Sequence, residues 1–149
     1  MEGNNLKILL VDDDGDDAEM IMYSLRKLAF VDIHYIDDGA VALRYLLDNN
    51  SEEPSLILLD LKMPKVDGVE ILRILKGKAD KRHIPVAALI SSKSGVQYLE
   101  SFGVKPEAYL SKPVTASEFL TVLAKVGLST FSRQPLSGEQ SANLLEGAV

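Results

Sequence analysis

The sequence contains no cysteine and no tryptophan, and aromatic residues make up only 6% of its 149 positions. The lack of cysteine excludes disulfide bonds, thiolate zinc sites and cysteine nucleophiles. No apolar run approaches the roughly 20 residues of a transmembrane helix, and the first residues do not form a basic, apolar signal peptide. We therefore expect a cytoplasmic protein that does not insert into membranes.

Basic residues are also few: 16 Lys and Arg stand against 22 Asp and Glu, which gives a net charge of -6. This balance argues against direct nucleic-acid binding, because a protein that neutralises phosphates needs a basic surface. The length and the 46% hydrophobic content are typical of one globular domain. Beyond about Ser129 the chain is polar and rich in Ser and Gln, so we predict a domain over 1–128 and a polar C-terminal tail over 129–149.

Five short apolar runs are typical of strands buried on both faces of a parallel sheet. They are Leu6–Val11, Val31–Ile36, Leu56–Leu59, Pro85–Ile90 and Ala108–Leu110. Helical spacing follows each run, over Ala18–Leu28, Ala40–Leu47, Val69–Leu75, Gly95–Phe102 and Phe119–Val126. Thr115 and Glu118 predict a capping box before the last helix. Five such strand–helix units predict an α/β fold with a doubly wound, five-stranded parallel sheet.

Carboxylates follow two of the predicted strands where the functional sites of such sheets lie, at the carboxyl ends. Asp12 and Asp13 follow the first strand, and Asp60 follows the third. Two unit charges about 4 Å apart repel by about 4 kcal/mol at an effective dielectric constant of 20, so this cluster needs a proton or a cation. Oxygen ligands of this kind suit Mg²⁺. Lys112, after the fifth strand, is expected to point its ammonium into the same cluster, and the bond to Pro113 is a candidate cis peptide.

Four segments together resemble the receiver domain of two-component response regulators. They are Ile8–Asp13, Leu56–Pro64 with Asp67 and Gly68, Ile84–Val86, and Tyr109–Pro113. The resemblance covers about residues 6–127. It implies a flavodoxin-like (βα)5 fold with strand order 2-1-3-4-5, in a protein similar to stand-alone chemotaxis regulators.

The resemblance also implies roles for individual residues. Asp60 matches the phosphoacceptor, the carboxylate nucleophile that attacks the phosphoryl group of a kinase phosphohistidine. Asp13 matches the direct Mg²⁺ ligand and Asp12 its partner, which acts through water. The backbone carbonyl of Lys62 matches a further ligand. Lys112 matches the lysine that pairs first with Asp60 and then with a phosphoryl oxygen.

Some positions depart from the family pattern and bear on switching. Tyr109 matches the aromatic switch residue, but Ile90 stands where the family has Thr or Ser, and isoleucine cannot hydrogen-bond a phosphoryl group. Ser91 or Ser92 supplies a hydroxyl only if the strand end shifts slightly, so the resemblance does not extend to the usual hydroxyl signal to Tyr109. The Lys62 side chain lies at a variable position near the site entrance, where a cation would hold a phosphoryl oxygen or obstruct water. This predicts slow autodephosphorylation.

The predicted function is that of a stand-alone receiver rather than an enzyme. A histidine kinase or phosphotransfer protein would phosphorylate Asp60, and output would pass through contacts with a downstream protein. Whether the chain also forms a homodimer stays open. The alternative is a receiver-like module that signals without phosphorylation, which Ile90 favours. A Mg²⁺-dependent phosphohydrolase fits less well, because such enzymes carry a second Asp where Lys62 stands. The acidic loop after the first strand argues against nucleotide binding.

Overall fold

A computed structural model describes residues 5–129, in which five strands alternate with five helices. The strands are β1 (Leu6–Val11), β2 (Val31–Ile36), β3 (Leu56–Asp60), β4 (Val86–Ile90) and β5 (Ala108–Ser111). The helices are α1 (Gly15–Leu25), α2 (Gly39–Leu47), α3 (Gly68–Gly77), α4 (Lys93–Glu100) and α5 (Ala116–Lys125). The predicted tail at 129–149 lies outside the described residues except for Ser129. No helix in the described range is long and apolar enough to cross a membrane.

The strands form one parallel sheet in the order β2-β1-β3-β4-β5. One face packs against α1 and α5 through a core that includes Ile21 and Phe119. The other face packs against α2, α3 and α4 through a core that includes Leu46, Leu72 and Leu99. This arrangement confirms the predicted doubly wound α/β fold and its strand order.

The register of the sheet brings the carboxyl ends of the strands to one edge. Val11 of β1 pairs with Leu59 of β3, and Asp60 pairs with Leu89 of β4. Ile90 in turn pairs with Ser111 of β5. The residues that follow β1, β3 and β5 therefore leave the sheet at the same edge.

Side-chain caps fix where the helices begin. The Asp14 carboxylate accepts hydrogen bonds from the backbone N–H groups of Asp16 and Asp17, so α1 begins at Gly15 and not at the first apolar residue of its pattern. Thr115 accepts a hydrogen bond from the N–H of Glu118, which confirms a side-chain cap at the start of α5. The helix starts thus depend on polar residues just outside the apolar pattern.

The expectation that every strand is buried on both faces is wrong for β2. Its residues alternate between partly buried and exposed, with Asp32 and His34 exposed, because β2 is an edge strand. The central strands β1, β3 and β4 are almost completely buried. The apolar content of β2 therefore reflects strand propensity more than burial.

Candidate functional site

Asp12 is the most deeply buried polar residue of the edge, with 0% of its surface exposed. Its Oδ1 accepts a hydrogen bond of 2.9 Å from the backbone N–H of Asp14. The hydroxyl of Tyr35 donates to its backbone carbonyl, also at 2.9 Å. These contacts hold the first residue after β1 in one orientation.

Asp60 ends β3, and the start of α3 passes close behind it. A Cβ atom on Gly68 would collide with the backbone carbonyl of Asp60 and with Leu61, so only glycine permits this packing. The Asp67 side chain caps α3 by accepting a hydrogen bond from the Glu70 N–H. The end of β3 is therefore tightly positioned, and the Asp60 carboxylate is 16% exposed.

The ammonium of Lys112 lies among three carboxylates. Its Nζ is 2.9 Å from Asp12 Oδ2, and it donates hydrogen bonds to Asp17 Oδ2 at 3.0 Å and to Asp60 Oδ1 at 3.4 Å. The contact with Asp12 is an ion pair to its buried Oδ2. The peptide bond between Lys112 and Pro113 is cis, which confirms the prediction.

The donor set at this edge fits a hard divalent cation. Carboxylate oxygens of Asp12, Asp13 and Asp60 lie within 4.8 Å of one another. The Lys112 ammonium is shared among Asp12, Asp17 and Asp60, so its single charge cannot neutralise this cluster. Mg²⁺ prefers a small number of carboxylates and completes its octahedral shell with water. The cluster is thus suited to Mg²⁺.

The electrostatic surroundings perturb the titration of the site. Burial raises the pKa of Asp60 to about 6; the nearby charge of Asp12 adds to this rise and Lys112 opposes it. Burial also raises the pKa of Asp12, against the opposing effects of the Asp14 N–H and Lys112. Burial lowers the pKa of Lys112, but the surrounding carboxylates outweigh burial and the net shift is upward. The ammonium therefore stays charged, while Asp60 can change its charge near neutral pH.

A cavity of about 290 Å³ opens in front of the carboxylates. Among its lining residues are the site residues expected from the sequence, namely Asp13, Asp60, Lys62, Ile90, Ser91 and Lys112. Ile90 also packs into the core on the α3 and α4 side of the sheet, whereas Ser91 is exposed. Both alternatives for the family position at the end of β4 thus border the cavity, but only Ile90 contributes to the core.

Two predicted site residues, Asp12 and Tyr109, are not among the residues that line this cavity. Asp12 is buried behind it, and Tyr109 belongs to β5. Tyr109 lies on the same sheet face as Ile90 and packs against the same core. Its hydroxyl is buried and, in residues 5–129, has no hydrogen-bond partner. Ile90, on the same sheet face, has no polar side-chain atom and cannot form a hydrogen bond with this hydroxyl.

Asp17 is a site residue that the sequence motifs do not indicate. It lies in the first turn of α1 and accepts a hydrogen bond from Lys112. A signal was present: Asp17 lies four residues before the buried Ile21, so both share the helix face that packs on the sheet. Ser92 and Ser94, whose hydroxyls are 2.7 Å apart, also line the cavity.

Residues 8–124 match the family model of the response regulator receiver domain. The chain belongs to this family, which contains the receiver domains of two-component systems. Receiver domains are signalling domains rather than conventional enzymes, and they interact with histidine kinases and downstream targets.

Relatives of known name agree with this assignment. The chain is 32% identical over 117 residues to response regulator Rcp1 of Synechocystis sp., covering 74% of this chain and 80% of the relative. It is 28% identical over 122 residues to chemotaxis protein CheY-3 of Vibrio cholerae, covering 82% and 92% of the two chains. The solved structure of the bacteriophytochrome response regulator AtBRR has a TM-score of 0.75 and 34% identity, covering 83% of this chain and 94% of that one.

Proposed function

We propose that the chain accepts a phosphoryl group on Asp60 from a histidine kinase or phosphotransfer protein, in a reaction that requires Mg²⁺, and that it signals through contacts with a downstream protein. One observation carries this proposal: the Lys112 ammonium joins Asp12 and Asp60 at the wall of an open cavity. A nucleophilic carboxylate, a fixed cation and a cluster of oxygen ligands are the groups that phosphoryl transfer needs.

In the proposed reaction an oxygen of the Asp60 carboxylate attacks the phosphorus atom. A phosphorus–oxygen bond forms while the phosphorus–nitrogen bond of the donor phosphohistidine breaks. The imidazole leaves with the electron pair and takes up a proton. Lys112 would then shift its hydrogen bond from Asp60 Oδ1 to a phosphoryl oxygen, so that the charge it already holds in place offsets the new acyl phosphate.

The metal ligands we propose are Asp13 directly, Asp12 through water, Asp60, and the backbone carbonyl of Lys62. When bound, Mg²⁺ supplies neutralisation of the charge on the phosphoryl oxygens. Two observations support this set: the oxygens of the three carboxylates lie within 4.8 Å of one another, and the single charge of Lys112 is shared among Asp12, Asp17 and Asp60. A further support is that Rcp1, a relative, has been solved in a Mn²⁺-bound form.

A second candidate function is a receiver-like module that signals without phosphorylation. The observation in its favour is the buried Tyr109 hydroxyl, which has no partner among the described residues and cannot obtain one from Ile90. A signal that passes from the phosphoryl group to Tyr109 through a hydroxyl at position 90 is then absent, even if Asp60 is phosphorylated.

The test of the leading proposal is incubation of the full chain with acetyl phosphate or phosphoramidate and Mg²⁺, followed by mass spectrometry of the intact protein. We expect one added phosphoryl group in the wild type, none in Asp60→Asn, and none after chelation of the metal. Asp80→Asn, which changes an exposed carboxylate after α3, is the matched control and should be modified normally. A wild type that stays unmodified, together with a partner affinity that a phosphoryl mimic does not change, would establish the second candidate instead.

The remaining expectations from the sequence stay predictions. These are the domain boundary at residue 128 with its polar tail, the cytoplasmic location, the downstream partner and the homodimer.

A further inference from the structure

Lys62 lines the cavity and also contacts an aromatic ring. Its ammonium lies 4.8 Å from the centroid of the Tyr98 ring, which belongs to α4. A cation over an aromatic face is attracted by the ring quadrupole, and the attraction is modest where water has access, as it has at the exposed Lys62. The Lys62 side chain is therefore held at the cavity wall by a contact that is weaker than an ion pair with an anion in the cavity.

Tyr98 connects this contact to two helices. Its hydroxyl donates to Asp67 Oδ2 at 3.4 Å, and Asp67 caps α3. Its ring meets the Phe102 ring edge-on, with centroids 5.2 Å apart. A change in the position of the Tyr98 ring would therefore alter the surface formed by α4 and the start of α3.

Two other connections lead from the cavity toward α4. Ile90 packs closely under Gly95, where an added Cβ would lie 3.0 Å from Ile90 Cγ2. Tyr109 packs nearby, but its hydroxyl has no partner in the described part of the chain. Both connections are apolar or unpaired, so neither responds directly to a charge that appears at Asp60. The contact between Lys62 and Tyr98 does involve a charge.

We propose that Lys62 is the phosphoryl-sensing residue of this receiver: its ammonium exchanges between the Tyr98 ring and the phosphoryl group on Asp60, and this exchange couples phosphorylation to α4. The proposal rests on the proposed function, since it requires a phosphoryl group at Asp60. A phosphoryl group on Asp60 carries between one and two negative charges in place of the carboxylate charge, together with three acceptor oxygens. These oxygens attract an ammonium more strongly than an aromatic ring does. Because coupling is reciprocal, the ring must also oppose phosphoryl binding.

The test uses beryllofluoride with Mg²⁺ as a phosphoryl mimic on the full chain. Its affinity is measured by titration, and the Tyr98 ring and the α4 amides are followed by NMR. In the wild type we expect the Tyr98 ring signals to move on binding. Lys62→Met should bind the mimic more weakly and leave those signals unmoved. Tyr98→Leu should bind the mimic about two- to five-fold more tightly, because this factor corresponds to the free energy of a cation–ring contact that water can reach.

Three further variants separate this coupling from simple damage to α4. Tyr98→Phe keeps the ring and loses only the hydrogen bond to Asp67, so it should behave as the wild type toward the mimic. Arg73→Met removes a similar contact, in which the guanidinium lies 5.7 Å from the Phe102 ring but away from the cavity. It should not change the affinity. In the double variant of Lys62→Met and Tyr98→Leu, the gain in beryllofluoride affinity that Tyr98→Leu produces alone should disappear.

The outcomes distinguish this inference from the function on which it rests. If the wild type does not bind beryllofluoride, the proposed function fails and the inference fails with it. If the wild type binds but Tyr98→Leu binds equally well and Lys62→Met still moves the Tyr98 signals, only the coupling is overturned. Should Tyr98→Leu fail to fold, the Lys62→Met arm decides alone, since it removes a charge from an exposed side chain.

Discussion

Replacing the central carboxylate by its neutral isostere should stabilise the protein in the absence of metal. Asp60 lies beside Asp12, is largely buried, and has a pKa raised to about 6 from an ordinary value of 3.8. The folded protein therefore holds a proton on Asp60 more tightly than the unfolded chain does. Above the folded pKa the wild type keeps a charged group in a place that disfavours it, and Asp60→Asn removes that charge.

The magnitude follows from the size of the pKa shift. Each unit corresponds to about 1.4 kcal/mol, so a shift of about two units makes ionised Asp60 cost about 3 kcal/mol of folding free energy. The stabilising contribution of protonated Asp60 is fully present below the unfolded pKa of 3.8, and it is lost as the pH rises through the folded pKa of about 6. Asp60→Asn should therefore be more stable than the wild type by about 1–3 kcal/mol at neutral pH, with an advantage that vanishes near pH 4.

The assay is urea unfolding of both proteins with a chelator, over a series of pH values. Asp80→Asn, at an exposed carboxylate, should show no comparable gain. Millimolar Mg²⁺ should close the gap, because a ligand that binds only the folded wild type stabilises it. An Asp60→Asn variant that is no more stable than the wild type at neutral pH, or whose advantage does not change with pH, would refute the electrostatic account.

Two further pairs of substitutions test packing near the site by urea or thermal unfolding. Tyr109→Phe removes a buried hydroxyl without a partner in the described residues and should stabilise by about 1 kcal/mol, whereas Tyr35→Phe loses the bond to the Asp12 carbonyl and should destabilise by about as much. Equal changes in the free energy of unfolding for Tyr109→Phe and Tyr35→Phe would contradict this expectation. Gly68→Ala should destabilise by about 2 kcal/mol or more because its Cβ meets the end of β3. Gly77→Ala, in open space on the same helix, should be neutral or stabilising by up to about 1 kcal/mol, and a similar loss in both would refute the steric argument.

The fold and the centre of the site follow from local patterns that need no knowledge of side-chain packing. Continuous apolar runs with polar ends located all five strands to within one residue at each end. Once the strands are parallel, the residues after β1, β3 and β5 must share an edge, so Asp12, Asp60 and Lys112 are predictable from topology alone. The helix starts were less predictable, because a single cap such as Asp14 sets the first turn outside the apolar pattern.

Other contacts depend on side-chain directions and could not be predicted in the same way. The hydrogen bond between Lys112 and Asp17 joins groups far apart in the sequence, on α1 and after β5. The contact between Lys62 and Tyr98 depends on how the loop after β3 meets α4. The alternation of β2 depends on its place at the edge of the sheet, which its own residues do not encode. In each case a tertiary neighbour decides the outcome.

Lys112 and Lys62 both line the cavity but differ in how firmly they are held, and this difference gives them different roles. Lys112 is 13% exposed and already joins three carboxylates, so its charge is part of the folded structure before any phosphoryl group arrives. Lys62 is exposed and held by one aromatic ring. A new negative charge at Asp60 would therefore strengthen a contact that Lys112 already makes but would give Lys62 a better partner than it has. For this reason we expect the response to phosphorylation to begin at Lys62 and to emerge on the α4 side of the molecule.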